Sequence, residues 1–149
     1  MIILAIDPGI GKTGVCVYST HILQVDLTKG ELPAIPDNLR PTHAVIECPR
    51  VYPHSKVPPN DLLELAVLVG VLCQQVYERY GFDCKVVYPR DWKGTVKKQI
   101  HNARVLKNLH SLDQETWAQE SKRFPKSKHN DVIDAIGLAK WHASGLKHV

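Results

Sequence analysis

Two periods alternate along this chain. Residues 2–7, "IILAID", form an unbroken apolar run closed by an acid, and residues 15–20 and 22–27 are rich in β-branched and alternating positions. Such runs, bounded by short polar or Pro-Gly turns, predict three strands in an antiparallel meander. A loop carrying Pro33, Pro36 and Pro41 follows, and "AVIE" at 44–47 reads as a short buried strand stopped by Pro49. Residues 50–60, "RVYPHSKVPPN", predict an irregular, partly basic loop.

The period then changes. From Leu62 to Tyr80 the pattern is helical, with Asn60 or Asp61 as the expected cap and Gly81 as the stop. Its first three turns are apolar nearly all round, so more than one side must be covered, either within the domain or by the same helix of a second subunit. "CKVVYP" at 84–89 predicts a fifth strand, followed by a basic stretch that is helical after its first turn. Ser111 with Gln114 fits a capping box for a small helix. A terminal helix runs through "SKHNDVIDAIGLAKWHASGL", capped around Asn130. Three antiparallel strands followed by strands alternating with helices define an α/β domain with a mixed five-stranded sheet flanked by helices, of ribonuclease-H-like type.

One stretch invites a different reading. "AIDPGIGKTG" ends in the letters of a phosphate-binding P-loop, but that pattern needs its first glycine where Ile6 stands. Asp7 would face the phosphates, and the residues that follow read as a strand instead of a helix. No nucleotide cofactor is expected.

The 149 residues suffice for one domain, expected over 1–149. Cys16, Cys48, Cys73 and Cys84 form no CxxC pair and sit in or beside apolar runs, so buried free thiols are expected. The chain opens directly on a strand with no signal peptide, and no apolar run reaches transmembrane length. A cytoplasmic protein without a membrane partner is the expectation. Net charge is +4, but residues 85–128 carry eleven Lys and Arg against four Asp and Glu. A basic segment beside a body that bears carboxylates points to a polyanion, nucleic acid first.

Four acids stand where acids are costly. Asp7 and Glu47 end apolar strands, and Asp131 and Asp134 lie at i and i+3 on one face of the terminal helix. Singly, each has a bland reading: a turn brace, a solvated strand end, a charge favoured at a helix start. Together, strand ends and a helix start can converge at one edge of the fold. Carboxylates that close need cations, and two Mg2+ ions held by such oxygens can drive an in-line phosphodiester displacement.

In order along the chain, "IDPG" with a following "TG", "IE" at a strand end, "RDWKGTV" and "HNDVIDAIGLA" resemble the RuvC family of Holliday-junction resolvases. The resemblance spans nearly the whole chain and implies a ribonuclease-H-like fold and a homodimer. It also implies Mg2+- or Mn2+-dependent cleavage of two symmetric strands of a four-way DNA junction. Asp7, Glu47, Asp131 and Asp134 match the family's metal-binding acids, and Lys93 a lysine near the scissile phosphate. Lys97 or Lys98 would serve as its second lysine, and Tyr52 as the aromatic near the junction centre. Arg90, Lys98, Arg104 and Lys107 would follow the backbone, and Lys12 would touch a phosphate. His129 either touches a phosphate or caps the last helix, and the tryptophans read as core or interface residues. Tyr52 lies further along than the family's aromatic, and residues 111–127 look longer than the family segment. Such departures in a compact chain suggest a bacteriophage form.

Two rivals share the fold: a ribonuclease similar to the YqgF family, which the paired acids of the last helix disfavour, and a catalytically dead junction-binding module. An actin-like or sugar-kinase ATPase needs a second lobe, for which the chain has no room.

Overall fold

The computed structural model describes residues 1–146. Five strands form one sheet: β1 (Ile3–Asp7), β2 (Thr13–Tyr18), β3 (Ile22–Thr28), β4 (His43–Glu47) and β5 (Lys85–Val87). Their order across the sheet is β3-β2-β1-β4-β5. The first three strands pair antiparallel, as a meander requires, while β4 lies parallel to β1 and β5 parallel to β4. The mixed sheet flanked by helices is thus the one expected.

Strand alternation divides the core in two. Ile3, Ala5, Cys16, Tyr18 and Val45 face the terminal helix α5 (His129–Leu146). Leu4, Ile6, Val15, Val17 and Ile46 face the long helix α1 (Pro59–Tyr80). Central strands β1 and β2 are buried at every position, which is why their sequences run apolar without a polar face. From α1, Val69, Leu72 and Val76 enter the core; burying a leucine such as Leu72 contributes about 2 kcal/mol.

The parity of the strands also places the acids. Asp7 is two residues beyond Ala5 and Glu47 two beyond Val45, so both project toward the α5 side of the sheet. Ile6 pairs with Ile46 in the parallel register, which sets Asp7 and Glu47 side by side. Proline follows each closely: Pro8 and Pro49 lack the N–H that would extend the ladder, so the acids stand at the carboxyl ends of adjacent parallel strands.

Several boundaries differ from expectation for local reasons. β2 starts at Thr13, drawn in by pairing of Asp7 with Gly14. Helix α1 starts at Pro59, three residues early, because proline at the first helical position forfeits an N–H that no turn would use; Asn60 and Asp61 lie inside the helix and cap nothing. Gly81 does end it, in the left-handed conformation at φ 81° that favours glycine. The stretch after β5 begins with its own short helix, α2 (Pro89–Trp92), before α3 (Lys98–Lys107). The Ser111–Gln114 box does not form: His110 occupies the cap position of α4 (Ser111–Glu120), and the Gln114 side chain donates to the Leu109 carbonyl. The terminal helix begins at His129.

Segment 111–128 packs against the edge strand β3. The buried Asp113 carboxylate accepts the Ile22 N–H at 2.8 Å, and Arg123 pairs with Asp26. Cys16 is buried, but Cys48, Cys73 and Cys84 are only half-buried; all four are free thiols. Among the described residues no helix is long and apolar enough to cross a membrane.

Candidate active site

Asp7, Glu47 and Asp134 meet around one ammonium group. Lys93, just after α2, places Nζ 3.0 Å from Glu47 Oε2 and 3.3 Å from Asp134 Oδ2. Glu47 is held from a second side, because the Trp92 indole donates Nε1–H to Oε2 at 2.7 Å. Lys98, at the start of α3, stands 3.9 Å from Asp134 Oδ2. The Asp131 carboxylate is half-buried near Lys98 and Lys128, and its repulsion reaches Asp134 and Asp7.

The first turn of α5 lies hard against β2. A Cβ on Gly14 would fall 2.1 Å from the Asp131 carbonyl oxygen, so only glycine lets the helix start approach the sheet where Asp7 pairs. His129 anchors the same turn: Nε2 lies 2.9 Å from the Ser121 carbonyl and 3.1 Å from that of Phe124, and the ring meets Trp117 edge-on. Its contacts are structural.

Electrostatics follow from this crowding. Burial, then the charges of Glu47 and Asp134, push the Asp7 carboxyl well above the usual carboxylate range, and Lys93 only partly offsets them. Burial pushes Asp131 up too, against the pull of Lys98 and Lys128. Burial acts to lower the Lys93 ammonium, but Glu47, Asp7 and Asp134 outweigh it, and the net direction is upward. Lys93 therefore stays charged at neutral pH.

The donor set is carboxylate oxygen, which suits Mg2+ and Mn2+. Three acids surround the Lys93 ammonium with Asp131 close by, and Asp134 Oδ1 is buried without a hydrogen-bond partner. Both features fit a site completed by a cation. Among the described residues no three Asp, Glu, His or Cys side chains are gathered closely enough to cage an ion, since Lys93 stands between the acids.

The basic residues divide. Arg90 stacks on the Tyr52 ring, 4.1 Å from its centroid, and donates its backbone N–H to the phenol oxygen. Tyr52, Arg50, Glu47 and Pro8 line a cleft of about 260 Å3 beside the acids. Exposed Lys97 precedes α3, and Arg104 lines a second cavity with Trp92 and His101. Lys12 is half-buried in the β1–β2 turn. Lys107 lies nine residues beyond Lys98, about 13 Å along the helix, and so is not brought to the acids.

Two residues of the site were missed in the sequence. The sequence pattern reads Trp92 as a packing residue and does not distinguish His101. His101 stands edge-on to the Trp92 ring, centroids 4.8 Å apart, with Nε2 3.9 Å from Asp134 Oδ1. Burial holds its imidazole below the usual histidine range; Asp134 opposes this, and Lys93 and Arg104 reinforce it. The spacing of Lys97, His101 and Arg104 on one helical face was the available signal.

The topology, with acids at the carboxyl ends of adjacent parallel strands and at the start of the last helix, defines a ribonuclease-H-like fold. Comparison with solved structures agrees. Thermus thermophilus RuvC, in complex with a Holliday junction substrate, aligns with a TM-score of 0.65 at 19% identity, covering 99% of this chain and 96% of that one. The fowlpox virus Holliday junction resolvase aligns at 0.54 and 11% identity, covering 98% of this chain and 99% of that one. The yeast mitochondrial Holliday junction resolvase Ydc2 aligns at 0.52 and 14% identity, covering 98% and 82% respectively. No protein-family model matches the sequence, and no curated protein matches it either.

Proposed function

We propose that this chain is a structure-selective DNA endonuclease that resolves four-way junctions by paired symmetric nicks, acting in recombination and repair. The observation that carries the reading is the meeting of Asp7, Glu47 and Asp134 around Lys93, at the sheet edge where α5 begins. The fold shared with three junction resolvases supports the choice of substrate.

Asp7, Glu47, Asp131 and Asp134 would hold two Mg2+ ions, with Mn2+ as a substitute. When bound, such ions lower the pKa of an attacking water and offset charge on the leaving 3′-oxygen, giving 5′-phosphate and 3′-hydroxyl ends. The chain's own residues do the rest. Trp92 fixes the Glu47 carboxylate through its N–H. Lys93, charged and already inside the acid cluster, is positioned to offset the extra negative charge of the transition state. Lys97 and Lys98 at the start of α3, with Arg90 stacked on Tyr52, would grip the backbone, so affinity falls steeply with salt.

A homodimer supplies two sites for two strands. Helix α1 offers the surface for it: Leu63 and Val67 are 65% and 68% exposed, and Val71 and Tyr77 continue the same outward face. An apolar stripe of that length on a helix already packed on its other side suits an identical partner helix.

The test uses end-labelled four-way junction, linear duplex of the same sequence, and structured RNA, each with and without Mg2+. Paired nicks at symmetric positions on the junction alone, metal-dependent and sealed by ligase, are expected. Cleavage of RNA instead, or junction binding without cutting under any divalent ion, would overturn the reading.

A further inference from the structure

The two oxygens of Asp134 have different surroundings. Oδ2 faces ammonium groups, Lys93 Nζ at 3.3 Å and Lys98 Nζ at 3.9 Å. Oδ1 faces His101 Nε2 across 3.9 Å, too far for a hydrogen bond. Both atoms of this second pair are shut off from solvent, and neither has a hydrogen-bond partner. The Asp134 side chain is 2% exposed and that of His101 12%. Buried polar atoms are satisfied in almost every folded protein, so two orphans facing each other call for something between them.

His101 is poorly placed to seek another partner. Helix α3 packs along α5, and the imidazole stands at 80° to the Trp92 indole, which is itself fixed by its bond to Glu47. The ring is therefore braced against a residue that already touches the acid cluster.

We infer that His101 Nε2 joins Asp134 Oδ1 as a ligand of one divalent cation, adding a nitrogen to an otherwise all-oxygen donor set. The inference rests on the metal-dependent reading above. Its consequence is selectivity. Mg2+ favours carboxylate and water oxygen, whereas an imidazole raises affinity for the transition metals, so this centre binds Mn2+ in preference to Mg2+.

Mn2+ itself is the probe. The intact chain is loaded with Mn2+, and electron spin-echo modulation reads any nitrogen bound to the ion. Nitrogen modulation is expected in the unaltered protein and is lost in His101→Gln. The same substitution weakens Mn2+ binding by about tenfold or more, with a much smaller change for Mg2+, while the circular dichroism spectrum is retained. Bound Mn2+ without nitrogen modulation in the unaltered protein, or modulation that persists in His101→Gln, overturns the role of His101 and leaves the metal-dependent reading standing. Equilibrium dialysis that finds no Mn2+ bound to the unaltered protein overturns both.

Discussion

Replacing Asp7 by Asn sets stability and activity against each other. Asp7 is buried at the end of β1, beside Glu47 on β4 and near Asp134, with Lys93 as the nearest opposing charge. Neighbouring strands lie about 4.8 Å apart. Two like charges at about 5 Å, in an effective dielectric near 20, repel by about 3 kcal/mol. Lys93 cancels part of this, so Asp7→Asn is expected to stabilise the metal-free protein by about 1–2 kcal/mol, or roughly 4 °C in midpoint for a chain of this size.

The pH dependence follows from the direction of the shift. The folded state holds the Asp7 proton more tightly than the unfolded chain does, so this group favours folding at low pH and that contribution is lost as pH rises through the folded value. In EDTA the advantage of Asp7→Asn therefore grows as pH rises through the raised Asp7 value and shrinks as pH falls and Asp7 itself becomes protonated. With Mg2+ the order reverses, because the unaltered protein, with all four acids, gains more stability from bound metal. Thermal unfolding followed by circular dichroism, with EDTA and with Mg2+ at several pH values, reads all of this. Cleavage should be abolished and junction binding retained. A variant less stable than the parent in EDTA at every pH, or one that cuts normally, refutes the reasoning.

Other substitutions test separate contacts. Trp92→Phe removes the N–H that Glu47 Oε2 accepts and is expected to slow single-turnover cleavage by about tenfold, with junction affinity unchanged in gel-shift titration. Gly14→Ala drives a Cβ against the Asp131 carbonyl; urea titration should report a loss of about 1–3 kcal/mol, and metal affinity should fall because the start of α5 must move. Val67→Asp puts a charge in the middle of the exposed stripe on α1. Sedimentation should then find monomer, and nicks on the two junction strands should lose their pairing, whereas an unchanged dimer would place the interface elsewhere.

Trp92 and His101 mark the limit of what local pattern reveals. Trp92 lies 45 residues beyond its hydrogen-bond partner Glu47, and the two meet only because parallel pairing of β4 with β5 sets α2 over the strand end. His101 sits in a basic amphipathic stretch where nothing local separates a histidine turned to solvent from one aimed at Asp134. Capping failed as a guide at both Asn60 and Ser111. A helix needs only some solution for its first N–H groups, and Pro59 at one start and the chain approaching from Leu109 at the other decided where each began.

The sequence by itself determined the sheet, its two-sided core and the face on which the acids stand. Backbone alternation puts Asp7 on the face of Ala5 and Glu47 on that of Val45, and i, i+3 spacing puts Asp131 and Asp134 on one helical face. These are local consequences of backbone geometry. Tertiary structure alone decided that Lys93 lies between the acids, that Trp92 holds Glu47, that His101 faces Asp134, and that Leu63 and Val67 on α1 are left uncovered. Each depends on the packing of elements far apart in the chain, where distances of a few ångströms set the charge interactions and no residue pattern records them.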